Sequence, residues 1–169
     1  MALEHGFGFL LHKDIVNTVM GCRPVSSRLI TIRLRAVPFN ITIVQAYAQT
    51  SDYDDNKMEE FYDQLQNVID QTRKDIFVVQ GDWNAKVGTF NYLVLTNTFG
   101  HQNKSRRWTW HSPNEQHHNQ IDYIFVRKRF RSGVNIARTR SFPGADIGSD
   151  HDLLVMTFHL PMCWKLSKL

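Results

Sequence analysis

Cysteine is scarce in this 169-residue chain. There are two, Cys22 and Cys163, far apart and at no spacing that suits a metal or a redox pair. Two lone thiols suit a reducing compartment, an intracellular setting either nuclear or cytoplasmic, and exclude little else. Long apolar runs are also missing. None approaches the roughly 20 residues of a membrane span, so no membrane partner is expected. The N-terminus lacks the basic start and apolar core of a secretory signal. No repeat, low-complexity tract or linker divides the chain. What remains is an ordinary globular composition, 42% hydrophobic and 21% charged, long enough for one domain with a real core.

The formal charge is +4, and its distribution says more than its size. Residues 51–82 hold nine acidic and three basic side chains; residues 101–140 hold nine basic and two acidic. A basic half facing a cleft favours a polyanion, with nucleic acid the obvious one. Two oppositely charged solvated faces explain the same pattern.

Taken in order, Gly6 to Leu11 reads as a short strand, and residues 12–27 as a weak strand and a turn. Leu29 to Arg35 alternates, and Ile41 to Tyr47 follows a short break at Pro38 and Asn40. Together they predict an antiparallel hairpin. Ser51 to Asp55 offers N-caps and acidic charge to a helix over roughly residues 55–72. Its apolar stripe is Met58, Phe61, Tyr62, Leu65, Val68 and Ile69. Ile76 to Val79 is an unbroken apolar run, suited to a strand covered on both faces. The strand–helix–strand order predicts a crossover on a sheet. Further on, Tyr92 to Leu95 is apolar but short. Arg107 to Trp110, Ile121 to Val126, Val134 to Arg140 and Leu153 to Leu160 are candidate strands. Residues 161–169 read as a fraying tail. The class is mixed α/β and sheet-rich, one domain over residues 6–160.

Three polar clusters sit at predicted strand ends: Gly81-Asp82-Trp83-Asn84, Gln120-Ile121-Asp122-Tyr123 and Ser149-Asp150-His151. Carboxylate oxygens hold Mg²⁺. An imidazole can donate to a phosphate oxygen or handle a proton. A second carboxylate fixes the ring's tautomer and raises its basicity. Asp, Asn and His gathered at one end of a sheet therefore suit metal-assisted phosphodiester hydrolysis. Taken singly, each cluster is as well explained by a turn or a surface pair.

The three motifs, in this order, resemble those of the endonuclease/exonuclease/phosphatase family. Asp82 and Asn84 match its GD-x-N motif, Asp122 its [IL]-D-Y motif, and Asp150 and His151 its S-D-H motif. Tyr47 stands where the family places a phosphate-contacting tyrosine, though a core tyrosine fits as well. Phe9 to Lys13, Trp108-Thr109-Trp110 and His118 to Tyr123 resemble endonuclease domains of non-LTR retrotransposons of the BovB type. The likeness implies a family β-sandwich flanked by helices, incomplete in this chain, and a Mg²⁺-dependent endonuclease acting on DNA. No small-molecule cofactor besides the metal is implied. It further implies that His151, bonded to Asp122, contacts the scissile phosphate, and that Asp82 orients or deprotonates the attacking water. Asn84 would support that geometry and bind phosphate or metal, and Tyr47 would donate to a phosphate oxygen. Asp150 would take part in the metal site. Trp108, Thr109, Trp110 and Ser112 would line a DNA-facing rim; the two tryptophans fit a core equally well.

Two departures from the pattern matter. The family's opening Asn strand and metal-binding Glu strand find no match here, since Glu4 is the only acid before Asp14. The segment after GD-x-N is also short, as if internally deleted. Losing one carboxylate from a Mg²⁺ site held by one or two could abolish occupancy. The expectation is therefore an endonuclease-type domain with weak or no turnover, the alternative being a non-catalytic nucleic-acid-binding remnant. A small-phosphoester hydrolase is disfavoured by the basic, aromatic stretch over residues 104–131. The run Arg127 to Arg131 suits either DNA backbone or a solvated turn. His111, His117 and His118 have no cysteine or carboxylate cluster beside them and read as a solvated loop.

Overall fold

The computed structural model describes residues 7–50, 55–84, 93–95, 108–114, 116–130, 140–142, 149–157 and 165–166. A six-stranded sheet dominates them, built from β1 (Val19–Ser26), β2 (Leu29–Leu34), β4 (Ile41–Tyr47), β5 (Ile76–Asp82), β6 (Leu93–Leu95) and β9 (Asp122–Arg127). The order is β1-β2-β4-β5-β9-β6. Helix α2 (Asp55–Gln71) carries the chain from β4 to β5, which lie parallel, while the other neighbours are antiparallel. The expected hairpin and crossover are thus both present.

Pleating divides this sheet into two unlike faces, because successive side chains point to opposite sides. Val44, Ala46, Phe77, Val79 and Phe125 face α2, which presents Phe61, Leu65, Val68 and Ile69 to form one buried core. The helix stripe is the one the periodicity predicts, with Tyr62 at its exposed margin. Arg127 closes the helix from below. Its guanidinium donates to the Ile69 and Thr72 carbonyls at 2.7 Å each, beside the Thr72 hydroxyl and the Asp75 N–H that these carbonyls also accept. On the other face, Ile32, Leu34, Ile41 and Ile76 form a second core, and Val78, Ile124 and Val126 a third. Leu154 and Met156, at and just beyond β11 (Leu153–Val155), pack on the third; β11 pairs with β10 (Arg140–Phe142).

Three expectations need correction. Gly6 to Leu11 forms no strand among its described residues. Phe9 and Leu11 pack singly on the second core while Leu10 is fully exposed, so the alternation is real but no neighbour pairs with it. A short helical turn, α1 (Lys13–Val16), follows. Of the expected strand over Arg107 to Trp110, the described Trp108 and Thr109 lie in no strand; β7 (Trp110–His111) pairs with β8 (His118–Asn119), and Trp110 also bridges His151. Finally, the tail does not simply fray. Lys165 and Leu166 form β12, which pairs with β3 (Ala36–Val37) through backbone bonds that hydrophobic periodicity cannot reveal. Most of Val134 to Arg140 lies outside the described residues, and so do Cys163 and residues 85–92; Cys22 is exposed on β1. Among the described residues no helix is long and apolar enough to cross a membrane.

Candidate active site

The register of the sheet assembles the site. Tyr47 is paired with Asp82 across β4 and β5, and Asp82 with Asp122 across β5 and β9. Adjacent strands lie about 4.8 Å apart, so three polar side chains stand in one row at the sheet's end. Parity puts that row on the face away from α2. One step inward, the next row on the same face holds Gln45 and Gln80, whose amides bond at 3.2 Å. Sequence reasoning missed both glutamines. Their signal is the period of two, since each lies two residues before a singled-out position.

The turn after β5 shapes the tip. Gly81 adopts φ +144°, and a Cβ there would stand 1.8 Å from the Ala46 carbonyl oxygen. Only glycine fits. Asn84 takes φ 49°, a left-handed conformation that asparagine tolerates. Its backbone N–H donates to Asp82 Oδ1 at 2.8 Å, and its side-chain amide donates to the Ala48 carbonyl at 2.8 Å. Burial pushes the Asp82 carboxyl above its ordinary pKa, and the Asn84 N–H opposes that shift.

His151 arrives from the third motif. Its Nδ1 lies 2.9 Å from Asp122 Oδ2, and its backbone N–H donates to Ser149 Oγ at 3.0 Å. The bond to Asp122 raises the imidazole pKa above its usual value, against the burial that lowers it. A cavity of about 270 Å³ opens beside this pair, lined among others by Gln45, Gln80, Asp122, His151 and Asp152. A larger one, about 700 Å³, lies at the opposite end of β9, between Arg73, Arg127, Lys128 and Arg129. None of the three motifs reaches it. Size is therefore a poor guide here, and convergence of polar groups picks the smaller cavity.

Thr109 joins the parts. Its hydroxyl oxygen accepts the Ile121 and Asp122 N–H groups at 3.1 and 3.0 Å, and its carbonyl accepts the Asp152 N–H at 2.9 Å. It is fully buried, so it is no part of an exposed rim. Ser112 is buried as well, its hydroxyl donating to Asn114 and accepting from the His117 N–H. Those two rim expectations are corrected: the residues that seemed to face DNA tie the loop to itself and to β9. Trp108 and Trp110 are half-buried. Trp108 stacks on His118, and the Trp110 indole N–H donates to Asp150 Oδ2 at 2.8 Å. Asp150 is otherwise exposed. The histidine loop also departs from expectation. His117 is exposed, but His111 and His118 meet at 2.7 Å, and Asp152 lies 3.2 Å from the far side of the His111 ring.

Asp82, Asp122 and Asp150 are the carboxylates beside the site that could offer an oxygen to Mg²⁺, which needs only one or two. Among the described residues no group of three metal-ligating side chains converges. Each of these carboxylates accepts one bond on one oxygen, from Asn84 on Asp82, His151 on Asp122 and Trp110 on Asp150, and a carboxylate can accept more than one.

No protein-family model matches the chain. Craniofacial development protein 2 from Bos taurus is 37% identical over 187 residues, covering 94% of this chain and 31% of that protein. The Tragulus javanicus protein of the same name is 36% identical, covering 94% and 32%. The chain thus spans about a third of the length of the curated relatives it matches. The aligned stretch, at 187 residues, is longer than this 169-residue chain, so gaps fall within it. Among solved structures, the endonuclease domain of TRAS1, a telomere-specific non-LTR retrotransposon, superposes with a TM-score of 0.59. The match has 15% identity and covers 80% of this chain and 65% of that one. A functionally unknown conserved protein from Enterococcus faecalis V583 superposes at 0.51, with 13% identity, over 76% and 56%.

Proposed function

Starting from a chain that carries the endonuclease/exonuclease/phosphatase fold, we propose that it holds a phosphodiester-hydrolysing site for DNA, of the retrotransposon endonuclease kind, with low turnover. The observation that carries this is the Asp122–His151 pair at 2.9 Å, beside Asp82 in the adjacent strand position. With Nδ1 engaged by Asp122, Nε2 is the nitrogen left to meet a phosphate oxygen. A raised pKa keeps the ring cationic to higher pH, which suits a dianionic transition state. Asp82, made more basic by burial, orients and deprotonates the attacking water. Asn84 fixes Asp82 through its N–H, and Tyr47 donates a hydroxyl to the phosphate from the adjacent strand.

Mg²⁺ normally stabilises charge on such a phosphate, a contribution of several kcal/mol. Asp150 is the residue assigned to it by resemblance. Asp150 is exposed and no group of three ligating side chains converges among the described residues, so the ion would be held weakly and low turnover follows. The same weak hold on the ion favours a second reading, a DNA-binding remnant without turnover.

Nicking of supercoiled plasmid, with Mg²⁺ and with chelator, separates the two. Slow Mg²⁺-dependent nicking that disappears in Asp82→Ala and in His151→Ala supports the enzyme. A salt-sensitive DNA shift with no nicking at any enzyme concentration selects the remnant. Absence of both sinks the DNA reading altogether.

A further inference from the structure

The hairpin β7–β8 carries a second histidine cluster that the hydrolytic site does not use. His111 and His118 are directly opposed in its register. Their Nδ1 atoms lie 2.7 Å apart, and His111 Nε2 lies 3.2 Å from Asp152 Oδ2. Asp152 is largely buried, its side chain 12% exposed, so its carboxylate is held in place. We propose that His111 and His118 form a binding site for a divalent transition-metal ion such as Zn²⁺, with Asp152 holding His111 through its other ring nitrogen.

Three features of the cluster point to this. First, a carboxylate on the far nitrogen of a ligating histidine is the usual second-layer arrangement: it sets the tautomer and leaves Nδ1 with its lone pair outward. Second, both inner nitrogens are Nδ1, aimed at one point from opposite strands. Two imidazoles on a tetrahedral Zn²⁺ stand about 3.4 Å apart, given bonds of roughly 2.0–2.1 Å. The rings need to part by less than about 1 Å to admit the ion. The hydrogen now shared between the two Nδ1 atoms then moves to the far nitrogen of His118. Third, the cluster is built into an ordered hairpin. The Ser112 N–H donates to the His117 carbonyl, the Thr109 N–H donates to the Asn119 carbonyl, and Trp108 stacks on His118. Little ordering remains to be done when the ion binds.

Imidazole selects Zn²⁺, Cu²⁺ or Ni²⁺ over Mg²⁺, which prefers oxygen. Among the described residues no third ligating side chain completes the set, so water fills the remaining positions and affinity is modest. Asp152 directly follows His151 and lines the cavity of about 270 Å³, so its bond to His111 ties the hairpin to the segment that carries His151, and the ion joins the hairpin's two strands to each other. The proposal stands apart from any DNA activity.

Calorimetric titration of the full chain with Zn²⁺ tests it. The expected result is one ion per chain with a micromolar dissociation constant, undisturbed by excess Mg²⁺. The double variant His111→Asn/His118→Asn should weaken binding more than tenfold. Asp152→Asn should weaken it about 10–100-fold, as loss of a supporting carboxylate does elsewhere. His12→Asn and His117→Asn should change nothing. Imidazole ¹⁵N spectra of the unmutated chain give the same answer without a variant: Zn²⁺ should shift His111 and His118. No binding at millimolar Zn²⁺, undiminished binding in the double variant, or shifts confined to His151 would each overturn the proposal.

Discussion

The two faces of the six-stranded sheet are made by the same strands, residue by alternate residue, yet they follow different rules. Toward α2, Val44, Ala46, Phe77, Val79 and Phe125 are all buried and apolar. On the opposite face the same strands start apolar, with Ile43 and Val78, become amide at Gln45 and Gln80, and end acidic or phenolic at Asp82, Asp122 and Tyr47. The polarity gradient runs along one face only. The helix face supplies rigidity; the other gives up burial at its end so that ionisable groups can meet. Stability and chemistry are thus separable by parity, and substitutions one residue apart should read out differently.

The largest effect is expected on the helix side. Trp83 is 1% exposed and packs edge-on against Phe61 and Phe125, so Trp83→Ala should cost about 3–5 kcal/mol in urea unfolding. Next comes the point where the two faces change over. Gly81→Ala drives a methyl into the Ala46 carbonyl from a backbone conformation that L-residues avoid, and should cost on the order of 3 kcal/mol. By contrast, Asp82→Asn on the site face should shift stability by no more than about 1 kcal/mol, while abolishing whatever nicking the chain shows. If Asp82→Asn proved as destabilising as Trp83→Ala, the division of labour between faces would be wrong.

This division also explains what was legible in the chain and what was not. The helix stripe, the β4–α2–β5 crossover and the β5 strand were readable because burial imposes a period on the sequence. The gathering of Asp82, Asp122 and His151 followed from resemblance, each motif being an ordinary turn or surface pair when taken singly. Non-local partners left no period. Thr109 gives no sign that its hydroxyl serves the backbone of residues 121 and 122. The histidines at 111 and 118 looked unsupported because their carboxylate, Asp152, lies far along the chain. Nor does Arg127 in its basic run announce that its guanidinium is spent on the end of α2. It is a helix cap, whereas Lys128 and Arg129 remain exposed.

The smallest effect is also the most specific, and it lies in pH. Asp82 and His151 both have pKa values raised by folding, the first through burial and the second through its bond to Asp122. For either group the folded state binds its proton more tightly than the unfolded chain does. Each contribution is therefore fully present below the unfolded pKa and is lost as pH rises through the folded one. For Asp82 the loss begins above its ordinary value of 3.8, and for His151 above 6.5. Stability should fall in two separate steps, one in the acid range and one near neutrality. Asp82→Asn should erase the first step and leave the second. Asp122→Asn should erase the second, because it removes the main cause of the His151 shift. Urea unfolding from pH 3 to 9 measures both. If the neutral step survived Asp122→Asn, the pair at the centre of the site would not be an energetic unit, and the polar end of the face would be a row of neighbours without coupling.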